Sequence, residues 1–250
     1  RIRPGEAPQT LLKIDDIPGK PDSLWAWELW PSPDSSRLLL QHTSYGTNAK
    51  GTLEKQTALL VYHLESETFT VLSLPEELLN AASFSSCVWT ENGETLYLLY
   101  EDTVYGFSVN TGDCVCHAAA GRSVVDLLTV GDALCLLSAE GKLIKVETSA
   151  DSLTALSSLS LDLTPSAGLI SYLPCKNGRG VIRYQKTAWL IDLSSFQTIS
   201  LIDGFCGIDE ERGLVYTLFY DYFYAYPLRS AEDLRALAAA RLGLSATQGK

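Results

Sequence analysis

The sequence predicts an all-β protein, a β-propeller of about five four-stranded blades that is closed by an N-terminal strand and followed by a short C-terminal helix. Three observations predict this fold. A strand motif with an apolar anchor recurs five times, a turn and an apolar strand precede each copy, and successive anchors lie 45, 37, 47 and 35 residues apart. The mean of about 41 matches the roughly 40–45 residues of one four-stranded propeller blade.

The recurring strand motif reads VYHLES, YGFSVNT, LIKVET, LIDLSS and YAYPLRS, with apolar anchors at Leu64, Val109, Val146, Leu193 and Leu228. A hydroxyl residue stands two positions after each anchor, at Ser66, Thr111, Thr148, Ser195 and Ser230. A hydroxyl group there can bond nearby backbone groups and hold the turn to the next strand. We therefore expect the anchors to occupy equivalent third-strand positions.

The remaining strands of each blade lie on either side of this motif. Upstream, a turn and an apolar strand recur as PDSSRLLL, ENGETLYLLY, VGDALCLL, KNGRGVIRY and EERGLVYTLF. Asn92-Gly93 and Asn177-Gly178 predict type I′ turns, because both residue types accept positive φ. Downstream, the predicted fourth strands are FTVLSL, CVCHA, LTALSSL and FQTISLI.

The fifth copy has no fourth strand of its own. After Arg229 the chain reads AEDLRALAAARL, a composition that favours helix. Residues 11–14 can supply the missing strand by pairing with residues 223–228, and such closure removes exposed sheet edges. The expected organisation is an N-terminal tail at residues 1–9, the propeller at 10–230, and a C-terminal helix and tail at 231–250.

The run Ser32-Pro33-Asp34-Ser35-Ser36-Arg37-Leu38-Leu39 resembles the SPDG-x-x-L turn and strand of bacterial WD40-like repeats. The resemblance covers most of residues 10–230, although the Gly-His and Trp-Asp dipeptides are absent from all five copies. Residues 227–242 are similar to the helical tail after the last blade of large bacterial WD40 signalling effectors. The resemblance implies a divergent WD40-like interaction module, the C-terminal propeller of a larger signalling protein.

Charge and hydropathy argue against two classes of partner. The net charge of −11, with a pI near 4.7, repels a phosphate backbone, and no Lys/Arg run offsets it. Apolar runs such as residues 234–244 are shorter than the roughly 20 residues that span a bilayer. We expect neither nucleic acid nor membrane as a partner.

The ends and the cysteines of the chain bear on its context. The chain begins at Arg1 and has no methionine, which indicates a processed chain or a piece of a longer protein with an effector domain before Arg1. Six cysteines, mostly in apolar runs, are typical of free thiols in a reducing compartment and favour a cytoplasmic location. The alternative is a disulfide-bonded domain exported after signal-peptide removal.

Motifs for catalysis, cofactors and metals are missing. His42, His63 and His117 lie in or beside strands, and none has the spacing of a zinc motif. Cys114 and Cys116 share one face of a predicted strand, but the sequence has no second cluster of ligand residues to complete a zinc site with them. The sequence has no glycine-rich phosphate loop, nucleophile elbow or Ser-x-x-Lys motif. We expect no catalytic residues, no cofactor and no metal site.

One alternative is a carbohydrate-binding or glycoside-cleaving five-bladed propeller, in which paired carboxylates project into a central channel. The acidic candidates are Asp126, Asp162, Asp203 and Asp209. Each lies next to a predicted turn or strand start, where Asp is normally a local turn former. Carboxylates that converge would favour the enzyme, and carboxylates that cap turns would not.

Aromatic residues are the better indication of function. Tyr220, Tyr222, Tyr224 and Tyr226 share parity along one strand region, with a turn near residue 221 that can break the alternation. Trp25 and Trp27 share a face, and an insertion at residues 44–56 carries Tyr45. The partner-binding candidates are Trp25, Trp27, Tyr45, Tyr222, Tyr224 and Tyr226.

These aromatic residues allow three interpretations. Tyrosine and tryptophan are enriched at protein interfaces, so a non-catalytic protein-interaction or sensing module is the favoured one, with an unknown protein partner. Closure would bring the first and last blades together and make one composite surface. Packing between blades, within a purely structural repeat domain, is the other use of such residues.

Ring closure gives a first testable prediction. Deleting residues 1–18 should lower the melting temperature markedly, because the fifth blade would lose its outer strand. Thermal unfolding followed by circular dichroism measures the change. An unchanged melting temperature would count against closure.

Overall fold

A computed structural model describes residues 17, 24–47, 51, 53–81, 83–161, 163, 170–175, 178–228 and 231–241. For residues 24–28, 43–47, 53–56, 231, 232, 234 and 235 only the backbone is described. The described residues form nineteen strands, a 3-10 helical turn at Glu76–Leu78 and one helix, α1 (Ala231–Arg241).

The strands form five antiparallel sheets in chain order. The first contains β1 (Leu24–Pro31), β2 (Arg37–Thr47), β3 (Leu53–His63) and β4 (Thr68–Val71). The second contains β5 (Ser86–Trp89), β6 (Thr95–Tyr100), β7 (Thr103–Ser108) and β8 (Cys114–Ala119). The third contains β9 (Val124–Val130), β10 (Ala133–Ser138), β11 (Lys142–Thr148) and β12 (Leu153–Ser160). The fourth contains β13 (Ile170–Pro174), β14 (Arg179–Tyr184), β15 (Thr187–Asp192) and β16 (Gln197–Asp203), and the fifth contains β17 (Phe205–Asp209), β18 (Leu214–Phe219) and β19 (Tyr222–Pro227).

This architecture confirms the predicted fold class. Within each sheet, strands that follow one another in sequence are hydrogen-bonded neighbours, which is the up-and-down order of a propeller blade. The protein is an all-β propeller of five blade sheets with a short C-terminal helix. The fifth sheet has three strands among the described residues. Residues 11–14, which we expect to close it, lie outside the described residues, so closure stays a prediction.

The chain divides into two compact units, residues 1–134 with 146–154 and residues 135–145 with 155–250. The division passes through the third sheet. The first two sheets belong to the first unit and the last two to the second. In the described part of the chain, no helix has the length and apolar character needed to cross a bilayer.

The middle strands of the sheets are apolar because both of their faces are covered. β6 reads TLYLLY and its four central residues are all buried. The outer strand β8 reads CVCHAA and alternates between buried and exposed side chains. Continuous apolar runs are typical of strands buried on both faces, and alternation is typical of strands buried on one.

Four of the five anchors lie at one equivalent position, and the fifth, Val146, differs. Val146 lies near the end of β11, and each of the other four directly follows the third strand of its sheet. The backbone N–H of those four anchors donates to the carbonyl just before the second strand of the same sheet. The pairs, with N···O distances of 2.6–2.9 Å, are Leu64 to Ser36, Val109 to Glu94, Leu193 to Gly178 and Leu228 to Gly213.

Among the described copies, the proposed role of the hydroxyl two residues later is seen at Thr111; Ser230 lies outside the described residues. The Thr111 Oγ1 accepts from the backbone N–H of Asp113 at 3.3 Å. Ser66 instead bonds the Thr68 hydroxyl, and the Thr148 hydroxyl lies 3.0 Å from the Tyr97 hydroxyl of the second sheet. The expectation of one shared turn contact was therefore wrong, because these hydroxyl groups find different partners.

Two turns between the first and second strands share one structure. In the first sheet the Asp34 Oδ1 accepts from the Ser32 hydroxyl at 2.5 Å and from the Ser36 backbone N–H at 3.0 Å. In the second sheet the Asn92 Oδ1 accepts from the Thr90 hydroxyl and the Glu94 N–H, both at 2.8 Å.

The residue after each of these side chains, Ser35 or Gly93, has positive φ, 59° and 68°. Asn92 does not have positive φ. The predicted type I′ turn at Asn92-Gly93 is therefore wrong, because the Asn92 side chain closes the turn itself and only the glycine is left-handed. Asn177 lies outside the described residues.

Neighbouring sheets of the first unit are joined through these turns. The Arg37 Nη1 donates to the Gly93 carbonyl at 2.5 Å. The Asn92 N–H donates to the Asp132 Oδ1 at 3.1 Å, and the Glu91 N–H to the Gly131 carbonyl at 3.1 Å. The turn at Asn92 is thus held by its own side chain and by a hydrogen bond to the third sheet.

Residues 44–56 are not the inserted loop that we expected. β2 and β3 stay paired as far as Thr47 and Leu53, with Tyr45 opposite Lys55. Most of this segment continues the hairpin, because the pairing of β2 with β3 extends into the polar part of both strands. At its base, the Thr57 N–H donates to the Leu79 carbonyl at 2.7 Å.

Ile17 is buried against the first sheet, in a cluster with Leu40, Leu60 and Tyr62. Deleting residues 1–18 removes this side chain as well as the expected closing strand. The variant Ile17→Ala measures its share of any loss of stability, and a deletion that ends at residue 14 leaves it in place.

The turn at Asp34 has a pH dependence that can be tested. Hydrogen bonds from Ser32 and Ser36 lower the pKa of the Asp34 carboxyl to about 2, from 3.8 for an unperturbed aspartate. A lowered folded-state pKa stabilises the fold above the unfolded value, and that contribution disappears as the pH falls through the folded value. Asp34→Asn, which places at Asp34 the residue type found at Asn92, should keep the turn. Denaturant titrations should show wild type more stable near neutral pH, with the difference fading between about pH 4 and pH 2. A difference that is constant with pH would contradict this assignment.

Gly112 gives a second test of the contacts between sheets. It has a φ of 78° in the turn between β7 and β8, its carbonyl accepts from the Ser73 N–H at 2.8 Å, and a Cβ there would strike the Val71 carbonyl. Gly213 has a φ of 64°, and a Cβ there meets no atom within 4 Å. Gly213→Ala should lower the free energy of unfolding by roughly 1–2 kcal/mol through backbone strain alone. Gly112→Ala should lower it by roughly 1–3 kcal/mol more, because of the overlap. Equal losses in denaturant titrations would contradict the contact.

Candidate functional site

The tyrosines of β19 share one face of the fifth sheet, as their parity predicts. β19 pairs with β18 so that Tyr226 lies opposite Val215, Tyr224 opposite Thr217 and Tyr222 opposite Phe219. Directly opposite residues of an antiparallel pair point to the same side. Tyr222, Tyr224 and Tyr226, which we call the tyrosine face, therefore lie side by side along one strand.

Tyr220 does not belong to the tyrosine face. It stands in the turn before β19 with a φ of 51° and is 95% exposed. The predicted break of alternation near residue 221 therefore occurs. The alternation starts again at Tyr222, the first residue of β19.

Two rings of the tyrosine face contact each other, and all three stay accessible. Tyr224 and Tyr226 stack with 6.2 Å between ring centroids, and Phe219 meets Tyr224 edge to face at 6.3 Å. Tyr222, Tyr224 and Tyr226 are 68%, 43% and 49% exposed. These contacts hold the rings in an ordered row that a partner could cover.

A cleft of about 300 Å³ lies on this side of the fifth sheet, between it and the fourth sheet. Both sheets belong to the second unit. The described residues that line it are Leu190, Ser200, Leu201, Ile202, Asp203, Val215, Thr217, Phe219, Tyr226, Pro227 and Leu228. Its inner wall is continuous with the core cluster that contains Leu190, Phe205 and Val215.

Thr217 is the unusual residue of this wall. It is 2% exposed, and its Oγ1 has no hydrogen-bond partner among the described residues. A buried hydroxyl group without a partner is destabilising, because it loses its bonds to water. Thr217 was not among the predicted site residues, because its only signal in the sequence is a threonine in LVYTLF at a position where the alternation of β18 buries the side chain.

The surroundings of the tyrosine face are acidic. Between residues 203 and 228 the chain carries five acidic residues and one basic residue, Arg212. The Arg212 Nε lies 3.7 Å from the Asp209 Oδ2. This surface therefore favours a cationic partner over an anionic one.

The other predicted binding residues lie in the first sheet. Trp25 and Trp27 belong to β1 and Tyr45 to β2. Trp27 pairs with His42, and Trp25 falls where the register shifts between Leu24 and Ala26. The side chains of Trp25, Trp27 and Tyr45 lie outside the described residues. They belong to the first unit and the tyrosine face to the second, so a composite surface stays a prediction.

The carboxylates proposed for glycoside cleavage have local partners. Asp203 ends β16 and accepts from the Thr187 hydroxyl at 3.0 Å, and Asp209 ends β17 and accepts from the Arg212 N–H at 3.0 Å. Asp126 is the third residue of its strand, close to the strand start where it was expected. It lies inside β9 and accepts from the Ser86 hydroxyl of β5 at 2.7 Å, because the two strands are neighbours. Asp162 lies outside the described residues.

The three histidines lie within strands, where they are buried or contact neighbouring side chains. His42 is buried in β2, and burial lowers its pKa. The His63 Nε2 lies 2.9 Å from the Thr70 hydroxyl, and burial with the nearby Arg37 lowers its pKa. His117 stacks on Tyr105 at 4.7 Å between ring centroids. Among the residues described, no group of three or more His, Cys, Asp or Glu side chains could hold a metal ion.

None of the six cysteines is in a disulfide bond. Cys114 and Cys116 lie in β8, with Cys116 buried, as expected for a half-buried fourth strand. Burial raises the pKa of the Cys116 thiol to about 11 and that of the Cys135 thiol to about 12. A raised pKa keeps these thiols protonated near neutral pH, so they are poor nucleophiles and poor metal ligands.

Comparison with known proteins gives similarity of fold. No family model and no curated protein matches the chain. A Bacteroides ovatus protein assigned as a dipeptidyl aminopeptidase IV is 12% identical over 75% of this chain and 35% of its own, with a TM-score of 0.50. BamB from Moraxella catarrhalis is 11% identical over 80% of this chain and 60% of its own, with a TM-score of 0.49. Hydrazine synthase from Kuenenia stuttgartiensis is 12% identical over 75% of this chain and 53% of its own, with a TM-score of 0.43.

The chain spans about a third of the Bacteroides protein and under two thirds of the other two. The TM-score of 0.50 with the Bacteroides protein indicates a similar fold, and an identity of 12% does not carry an activity from one protein to another. What this chain resembles in the Bacteroides ovatus protein is therefore its fold alone.

Proposed function

We propose that this chain is a divergent WD40-like propeller that binds a protein partner through the tyrosine face of its fifth sheet. One observation carries the proposal. Tyr222, Tyr224 and Tyr226 form an ordered and exposed row on one side of β19, and Phe219 extends it. Tyrosines in such a row offer a large apolar area with polar tips, at little cost in side-chain entropy.

The exposure of the row argues for a partner. Every residue of β19 is exposed, including Phe223 on the opposite face at 74%. Contiguous exposed apolar surface of this kind marks interaction sites more often than inert surface. An interface there would bury the rings and leave their hydroxyl groups to bond the partner.

Charge indicates what this partner presents. The strands and turns in and directly before the fifth sheet carry five acidic residues, Asp203, Asp209, Glu210, Glu211 and Asp221. The whole chain has a net charge of −11. A partner segment with an apolar centre and flanking lysine or arginine residues complements this surface. Attraction of this kind mainly accelerates association and weakens as salt is added.

The proposal extends to Trp25, Trp27 and Tyr45 if ring closure brings the first sheet beside the fifth. We do not propose glycoside cleavage, because Asp203 and Asp209 each make local bonds at a strand end. A non-catalytic role, in a larger signalling protein of the cytoplasm, fits the proposed surface.

The test compares two faces of one strand. The intact chain is used to capture partners from a lysate of the source organism, and each captured protein is then purified and titrated against the variants. Tyr222→Ala with Tyr224→Ala should weaken binding by about 2 kcal/mol or more, roughly thirtyfold. Phe223→Ala is the matched control, because Phe223 is as exposed but points to the other face.

The control should keep wild-type affinity, and added salt should weaken the wild-type complex. Trp25→Ala tests the composite surface separately. Equal affinity of the double tyrosine variant and wild type for every purified partner would reject the tyrosine face. Loss of affinity on Phe223→Ala alone would move the binding surface to the opposite side of β19.

A further inference from the structure

We infer that the cleft between the fourth and fifth sheets is a binding site for a neutral, ring-sized ligand that carries one hydroxyl or N–H group, such as a phenol or an indole. The inference goes beyond the proposed protein interaction and does not depend on it. It rests on the size of the cleft, the chemistry of its wall and the Thr217 hydroxyl.

The size of the cleft matches one ring system. Its volume of about 300 Å³ lies at the lower end of the roughly 300–1,000 Å³ typical of ligand sites. Leu190 and Ile202 of the fourth sheet line it together with Val215 of the fifth sheet and Leu228, which follows β19, and these side chains pack in one core cluster. Apolar walls on two sides favour a flat apolar body between them.

Thr217 requires a polar group on this ligand. Its neighbours along the same face of β18 are Val215 and Phe219, and a valine at position 217 would fill the same space without a polar atom. Thr217 lines the cleft, and its buried Oγ1 has no partner among the described residues. A ligand that bonds this oxygen satisfies the group, which explains a hydroxyl at this depth.

The charge of the wall restricts the ligand further. The described residues that line the cleft include no Lys, Arg or His, and Asp203 is the single charged residue among them. A carboxylate or phosphate ligand would lose its water without gaining a cation and would meet this acid. The nearby hydroxyl of Ser200 bonds the Leu201 carbonyl weakly, at 3.4 Å, so it can turn to a ligand.

A ring of this chemistry can come from a free small molecule or from a tyrosine or tryptophan side chain of a bound protein. The probes distinguish these sources. p-Cresol is the free phenol, N-acetyltyrosinamide carries the same ring on a peptide backbone, toluene lacks the hydroxyl group, and p-toluate replaces it with a carboxylate.

The experiment measures binding of each probe to the intact chain by ligand-detected NMR and by calorimetric titration. We expect p-cresol to bind better than toluene, and p-toluate not to bind. N-acetyltyrosinamide binding as well as p-cresol would assign the site to a protein side chain, and weaker binding would assign it to a free molecule. Absence of p-cresol binding up to its solubility limit would overturn the inference.

The variant Thr217→Val tests the hydroxyl directly. It should weaken p-cresol binding by roughly tenfold and leave toluene binding unchanged, because one hydrogen bond is lost. Its melting temperature should not fall, because a group without a protein partner is removed. Thr217→Ser should restore p-cresol binding, and Thr198→Val, on an exposed threonine of β16, is the control. Unchanged p-cresol affinity in Thr217→Val, or a marked loss of its stability, would overturn the inference.

A second pair of variants works even if position 217 does not tolerate change. Leu201 lines the cleft and is 59% exposed, and Leu156 in β12 is 57% exposed and does not line it. Leu201→Trp should obstruct p-cresol, whereas Leu156→Trp should not. Equal p-cresol affinity in these two variants would place the ligand elsewhere and overturn the inference.

Discussion

The structure depends on one backbone hydrogen bond that recurs from sheet to sheet. The N–H of the anchor that follows a third strand donates to the carbonyl that precedes the second strand, and this fixes the length of the central hairpin. Because the hairpin ends at a fixed point, the anchor takes the same backbone position in each of these four sheets. Val109 and Leu193 are buried for this reason, although their sequence neighbours are polar. The outer strands and the turns are added to this unit, and they vary more.

Much of the fold could be predicted from the sequence, because the residue that makes this hydrogen bond is an apolar anchor that recurs at regular intervals. The strands and the C-terminal helix follow from apolar patterning and composition. The turn type at Asn92 could not be predicted, since one Asn-Gly pair fits two turns and the side chain of Asn92 decides between them. The pairing of residues 44–47 with 53–56 could not be predicted either, because polar strands have no apolar alternation to show their register.

The candidate site was predictable in part. Parity along β19 was enough to place Tyr222, Tyr224 and Tyr226 on one face, because a strand alternates strictly. The cleft beside them depends on Leu190, Ser200 and Thr217, which come from two sheets, and no local pattern joins such positions. Thr217 looks like an ordinary strand residue in the sequence. Only the packing of the two sheets reveals that its hydroxyl group is buried without a described partner.

The long hairpin of the first sheet has a practical consequence. β1 pairs with β2 only as far as Ser44, and β4 pairs with β3 only from Leu60 onward. Between those limits and the hairpin end, the two strands have only each other as sheet neighbours in the described part of the chain. A two-stranded ribbon is marginally stable by itself, so this part of the hairpin contributes little to the stability of the sheet. The stretch between Thr47 and Leu53 is therefore a suitable place to insert an epitope tag or a fluorescent label without disturbing the blades.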